Sequence, residues 1–306
     1  MIEPPVKHKH HHVPEFHLKK WYGEDGKFFA YKKNYQGIVS FRKRTAGMLF
    51  YEPDLYLLKE DESSLANNYL RPDAIEDQLK DIDDKAAPVL NKMLRSFERI
   101  SRLTDEERTN WAQYVYSLIN RTPKKVRELE EVGEQSLQKT SKELSTRSTD
   151  EDSRRTIKRI IDISRLSNMH FNIPKKMMLD ERLVTRFVEA LIQHRWNCFE
   201  VSSHTFVIGP DPVMSLHIKS TPDSPVVVFA LALSPRRLWI TFHKELDELA
   251  SREDFLKRLA FLYNTKARFN PQEYIVSQVE LKNSPPYNWD EILELGLKPF
   301  ERHYSV

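Results

Sequence analysis

Val226-Val227-Val228-Phe229-Ala230-Leu231-Ala232-Leu233 is an apolar, β-branched-rich run held between Pro225 and Ser234-Pro235. Eight such residues bounded by turn formers read as a strand. Working outward, Cys198 to Val201, Thr205 to Ile208, Leu238 to Phe242 and Tyr274 to Val279 have the same character and are separated by Pro, Asp and Ser. The first fifty residues repeat it. Lys27 to Tyr31 follows a Gly-Glu-Asp-Gly turn, and Gly37 to Phe41 is β-branched and aromatic, as strands prefer. Between these ends the apolar period changes from two to three and four. The order strand, helix, strand predicts an α+β fold, with a mixed β-sheet built from the N- and C-terminal strands and a helical middle region. The expectation is one domain over residues 1–306, divided into strands at 1–70, helices at 71–195, and strands with helices at 196–306.

The helical signals are specific. Ile75, Leu79, Ile82, Ala86, Val89, Met93 and Phe97 make one stripe, with Asp73 as the expected N-cap and Pro88 as the expected kink. Thr104-Asp105-Glu106-Glu107 has the spacing of a capping box. Thr122-Pro123 supplies a cap and a first-turn proline for the next helix. Residues 132–152 carry almost no large apolar side chain, so they form a helix with little to bury or a connection. Ile157, Ile160, Ile161 and Leu166 mark a further helix. Asp180 opens another that turns Leu183, Val184, Phe187, Val188 and Leu191 to the core. Ser251 and Asp290 are expected to cap later helices. No internal repeat is present.

Composition excludes more than it selects. With 40% hydrophobic and 30% charged residues, the chain can build a core. One cysteine, Cys198, rules out an internal disulfide and a multi-cysteine zinc site. Seven glycines leave no phosphate-cradling glycine loop and no nucleophile elbow. No apolar region follows Met1-Ile2-Glu3-Pro4-Pro5 and no run reaches the ~20 residues of a membrane span, so the expected location is the cytoplasm, without membrane contact. Net charge is +3, but it is unevenly spread. Residues 1–50 hold ten Lys/Arg against four Asp/Glu, and residues 51–100 hold seven against twelve. Such a field serves either attraction between neighbouring surfaces or an anionic partner, nucleic acid or protein, at the basic N-terminal face.

Several short segments, in order, resemble a bacterial family known only as a domain of unknown function, DUF4238. Its opening H-Y-V-P-Q-F-x-L-R-x-F is similar to His11, Val13, Pro14, Phe16, Leu18, Lys19 and Trp21 here. Glu52-Pro53-Asp54-Leu55-Tyr56 resembles its acidic stretch ending in L-Y. Ile75-Glu76-Asp77-Gln78-Leu79 resembles its E-x-x-L helix, Arg121-Thr122-Pro123 its R-T-P, and Leu233-Ser234-Pro235 its L-S-P. Asn264, three residues before Ala267, resembles a late N…A stretch. The family's T-S-D-N-P-V is replaced by Ile208-Gly209-Pro210-Asp211-Pro212-Val213. Pro210 stands at the aspartate position and Asp211 one place later. If that aspartate is catalytic in relatives, this member is shifted by one residue or inactive.

Five histidines precede Leu18: His8, His10, His11, His12 and His17. On an extended chain His8, His10 and His12 face one way and His11 the other, and only His11 belongs to the family pattern. Pro210-Asp211 followed by His217-Ile218-Lys219 is similar to a metal-dependent nuclease pattern in which carboxylates hold a divalent ion and lysine offsets charge, although His217 stands where the second carboxylate belongs. His194, Cys198 and His204 could form a thiolate pair, but Cys198 lies in an apolar strand. The expected catalytic residues are therefore His11, Asp211 and Lys219, with His11 and Asp211 holding a divalent metal ion. Arg121, Arg236 and Arg237 are the expected binding residues, Arg236-Arg237 beside Trp239 being placed to contact phosphate and stack a base. The expected function is a metal-dependent hydrolase or nuclease acting on nucleic acid. The alternative is a non-catalytic interaction protein that has lost the family's aspartate position.

Overall fold

The computed structural model describes residues 6–33, 39–59, 71–96, 100–147, 150–201, 206–221, 224–243, 246, 252–268 and 274–280. Strands occupy both ends and helices the middle, so the fold is α+β. The strands form three separate sheets. β1 (Lys9–His11) pairs with β4 (Tyr51–Pro53). β2 (Phe28–Lys33) lies between β3 (Val39–Arg44) and β9 (Tyr274–Ser277). β5 (Arg195–Glu200), β8 (Arg237–Phe242), β7 (Ser224–Ser234) and β6 (Met214–Thr221) follow in that order across the third. The β2–β9 pairing joins the two ends of the chain, as the sequence implies. Among the described residues every pair is antiparallel, however, and no parallel pair makes the expected mixed sheet. Parallel neighbours need crossovers. Here β5 to β8 follow one another in sequence after α7, with no helix between them among the described residues.

The Val226–Leu233 run is the heart of β7, flanked on both sides by β6 and β8. Its alternate residues serve two cores. Val228, Ala230 and Ala232 pack with Val13, Leu18, Trp21, Phe28 and Val276. Leu231 and Leu233 pack with Trp111, Val115, Leu118 and Trp239 from the helical side. Burial on both faces explains why this strand is uniformly apolar.

The helices are α1 (Glu15–Leu18), α2 (Ala74–Arg95), α3 (Asp105–Asn120), α4 (Pro123–Arg147), α5 (Glu151–Leu166), α6 (Met169–Met177), α7 (Glu181–Ile192) and α8 (Glu253–Arg268). The Thr104 capping box forms in full, with Glu107 N–H donating to Thr104 Oγ1 and Thr104 N–H to Glu107. Asp180 accepts from the Arg182 and Leu183 amides. Asp73 stands at the N-cap of α2 without capping it, because its buried carboxylate pairs with Arg71 at 2.9 Å. α2 continues through Pro88 to Arg95. α5 is the helix that Ile157 to Leu166 mark, but none of its residues is buried and Ile160 is 55% exposed; among the described residues it lies beside α4 and α6. Of the expected strand Thr205 to Ile208, residues 206–208 are described, and there Ile208 makes a single bridge to Val276. Phe97, His204, Ser251 and Asp290 lie outside the described residues. Among the described residues no helix is long and apolar enough to cross a membrane.

Candidate functional site

Arg121 is the largest charged side chain with no solvent exposure. It ends α3, where its amide still donates to the Ser117 carbonyl at 2.8 Å. Thr122 then caps α4 by accepting from the Lys125 amide, and Pro123 takes the first helical position, where its missing N–H costs nothing. Arg-Thr-Pro is therefore a helix–helix corner that turns the guanidinium inward. Tyr56 locks the corner by donating its hydroxyl to the Arg121 carbonyl at 2.6 Å.

A buried guanidinium needs a counter-charge. Asp83 supplies it, accepting from Nη1 at 3.0 and 3.2 Å. Nε and Nη2 have no hydrogen-bond partner among the described residues. Burial works against the charge, but Asp83, Tyr114 and Tyr56 carry the Arg121 pKa above its ordinary value. The guanidinium also lies 5.5 Å from the centre of the Tyr114 ring.

Two histidines are fixed in the neutral state around this corner. Burial lowers His17 to about 4, so Nε2 donates to the Ala232 carbonyl at 2.8 Å. Its Nδ1 must then accept the Tyr114 hydroxyl, also at 2.8 Å; this tautomer is assigned from the partners. His10 follows the same logic. Nε2 donates to the Lys7 carbonyl and Nδ1 accepts the Tyr56 amide, while the ring stacks on Tyr56 at 5.3 Å. His12 is buried against Phe50, and burial followed by the Arg121 charge lowers it to about 3. The histidine run is thus not a cationic patch.

His11 lies on β1 opposite Tyr51, half-buried, with its ring 5.6 Å from the Tyr51 ring. Its Nε2 has no hydrogen-bond partner among the described residues and stands 3.7 Å from Glu15 Oε1. Burial lowers its pKa, Glu15 opposes this, and Lys9 and Arg121 add to it. Pro14 seats this segment, since its carbonyl accepts the His17 and Leu18 amides of the short helix α1. Glu52 of β4 accepts both bonds from Arg127 of α4, at 2.8 and 2.7 Å.

Glu76 completes the constellation. It precedes Asp83 by seven residues on α2, so both lie on one shoulder of the helix beside the buried Ile75 and Leu79. Glu76 is half-buried and has no hydrogen bond or ion pair among the described residues. Burial raises its carboxyl to about 7; Arg121 is the charge that most opposes the rise and Asp83 adds to it. Four stretches distant in sequence therefore converge: His11 to Pro14, Glu52 to Tyr56, Glu76 to Asp83, and Arg121 to Pro123.

The other sequence candidates lie elsewhere. Asp211 precedes β6 and pairs with Lys266 of α8 at 3.1 Å. No described contact joins it to His11. Among the described residues no group of three or more His, Cys, Asp or Glu is placed to hold a metal ion. Lys219 belongs to β6, and its side chain lies outside the described part. Arg236 is exposed in the β7–β8 turn. Arg237 donates to the Met93 and Leu94 carbonyls and pairs with Glu200, so it closes the end of α2. Cys198 is buried and its thiol is pushed up to about 12, which removes the thiolate that a nucleophilic Cys–His pair needs. Sequence reasoning missed Glu76, Asp83 and Tyr114 as site residues. The available signal was two carboxylates seven apart on the shoulder of an apolar stripe.

The chain matches the model of DUF4238, a family described as proteins of unknown function, over residues 9–279, and it belongs to that family. No curated protein and no solved structure matches it.

Proposed function

We propose that the protein is a hydrolase that cleaves phosphodiester bonds of nucleic acid, with Glu76 and His11 as acid–base groups and Arg121 as the charge behind them. The observation that carries this reading is one juxtaposition. An unpartnered carboxyl shares the field of a buried guanidinium that keeps two nitrogens, Nε and Nη2, unpartnered among the described residues. Structural ion pairs satisfy their donors, whereas acid–base sites hold groups whose protonation is poised near neutral pH. His11, neutral and with its buried Nε2 unpartnered among the described residues, is suited to take the proton of a water admitted beside it. Glu76, half protonated at neutral pH, is suited to give one to the leaving oxygen. Arg121 offsets the negative charge that develops on phosphate.

The test is incubation of tag-free protein with labelled single-stranded RNA and DNA. Cleavage should fall by about 100-fold or more in Glu76→Gln and in His11→Ala, with the fold intact by circular dichroism. Unchanged cleavage in Glu76→Gln would sink the assignment. Chelation separates the mechanisms. Cleavage that persists in EDTA fits the acid–base route; cleavage lost in EDTA and restored by Mg²⁺ or Mn²⁺ returns the metal-dependent reading with His11 and Asp211 as ligands.

The second reading is a binding module without chemistry. It is favoured by the ion pair that engages Asp211 with Lys266, beside the Pro210 that stands at the family's aspartate position. Oligonucleotide binding without turnover under any metal condition would select it.

A further inference from the structure

We infer that the outward face of α6 joins two copies of this chain, packed antiparallel about a two-fold axis near Ile173. The contact lies outside the candidate site and requires no particular chemistry there. α6 is held by its inner side. His170 and Pro174 lie against Gly133 of α4. Lys175 is buried, pairs with Glu130 at 2.8 Å and donates to the Leu57 carbonyl at 3.2 Å. Asn172 brackets Lys59, accepting from its amide at 2.9 Å and donating to its carbonyl at 2.8 Å.

The outward side is apolar. Met169, Ile173 and Met177 are 46%, 46% and 49% exposed. They are four residues apart, so they form one row about 12 Å long on one side of the helix. Single exposed apolar side chains are ordinary on a protein surface. A row of three on a nine-residue helix is the kind of ridge by which helices pack on one another.

The row reads the same in both directions. Turned about a two-fold axis near Ile173, it lays Met169 of one copy on Met177 of the other and Ile173 on itself. A closed homodimer demands that self-complementarity, and a different partner gives no reason for it. The flanking charges obey the same symmetry. Arg165 stands four residues before Met169, and Glu181 four residues after Met177. Both are exposed, and neither makes an ion pair among the described residues. The two-fold brings the end of one copy that carries Arg165 to the end of the other that carries Glu181, twice over. Opposite charges therefore meet, whereas a parallel arrangement would set Arg165 against Arg165. Lys176 borders the row. The antiparallel arrangement keeps the two copies' lysines about 9 Å apart along the helix axis, a distance at which exposed charges are largely screened.

So short a ridge makes a small contact, and the dimer is of the transient kind. Sedimentation velocity on the full chain should show a reversible monomer–dimer equilibrium with a Kd of about 10–100 µM. Ile173→Glu faces two carboxylates across the axis and should weaken association by about 100-fold or more, with the fold intact by circular dichroism because the side chain is half-exposed. Arg165→Glu and Glu181→Arg should each weaken it about fivefold, and the double variant R165E/E181R should recover the wild-type Kd. Under mild oxidation Ile173→Cys should give a disulfide-linked dimer. Met48→Cys, equally exposed but elsewhere, should not, and the native Cys198 is buried. A chain that stays monomeric to about 1 mM, tenfold above the expected range, overturns the inference. So does a Kd indifferent to Ile173→Glu, or a double variant that fails to recover. Binding of the monomer to phosphatidylglycerol vesicles through Ile173, without a dimer, also overturns it, in favour of a lipid surface.

Discussion

Glu76 has a stability consequence that is independent of any substrate. Its folded pKa of about 7 lies above the ordinary carboxyl value of 4.5. The folded state therefore holds a proton that the unfolded chain has lost between those pH values, and ionising the buried carboxyl costs free energy as pH rises through 7. Glu76→Gln is expected to raise stability by about 2 kcal/mol at pH 8 and to change it little at pH 4.5, where both side chains are neutral. Urea midpoints at the two pH values check this; a variant no more stable at pH 8 would mean the carboxyl is not buried as described. Tyr56 makes the complementary case. Tyr56→Phe removes the donor to the Arg121 carbonyl and leaves a buried acceptor unpaired, at an expected cost of about 1–3 kcal/mol, read from the same denaturation curves.

The α4–α6 crossing explains a glycine in a helix. A Cβ at Gly133 would stand 1.9 Å from the His170 carbonyl oxygen and 2.8 Å from Pro174. Glu130 and Glu134 flank the contact, pairing with Lys175 at 2.8 Å and His170 at 3.4 Å. On an open helix Gly→Ala stabilises by about 1 kcal/mol. Here the sign should reverse, and Gly133→Ala should destabilise by about 1–3 kcal/mol through overpacking, with faster amide exchange over Met169–Met177. Local signals of this kind were legible unevenly. The Thr104 box, the Asp180 cap and the Arg-Thr-Pro corner could be read directly, because each is satisfied within a few residues. β1 and β4 are three residues each and leave no periodic trace. The apolar residues of α5 marked the helix correctly, but periodicity reports only that a face exists and not whether a neighbour covers it. Glu76 and Asp83 escaped for a related reason: their partner, Arg121, is 38 residues beyond Asp83, and no local rule connects them.

Over the whole molecule the buried histidines dominate the acid response. His12 and His17 have folded values of about 3 and about 4 against 6.5 unfolded. The unfolded chain therefore takes up about two protons more than the native state as pH falls from 6.5 to 4.5, and stability is lost in that direction. Glu76 opposes them by about one proton over the same window. Stability should fall by about 1.4 kcal/mol per pH unit in the wild type and about twice as steeply in Glu76→Gln, measured by urea titrations between pH 6.5 and 4.5. The sheet that joins the chain's ends sets a different limit. The class of fold was visible in the order of the elements, but the register Tyr31↔Ile275 was not, since no local pattern fixes a partner so distant in sequence. During synthesis β2 leaves the ribosome with its partner still untranslated. At typical elongation rates it waits roughly 10 to 50 seconds for β9. Through that interval an aromatic strand is exposed to every other nascent chain, and the cations beside its rings act as gatekeepers against aggregation.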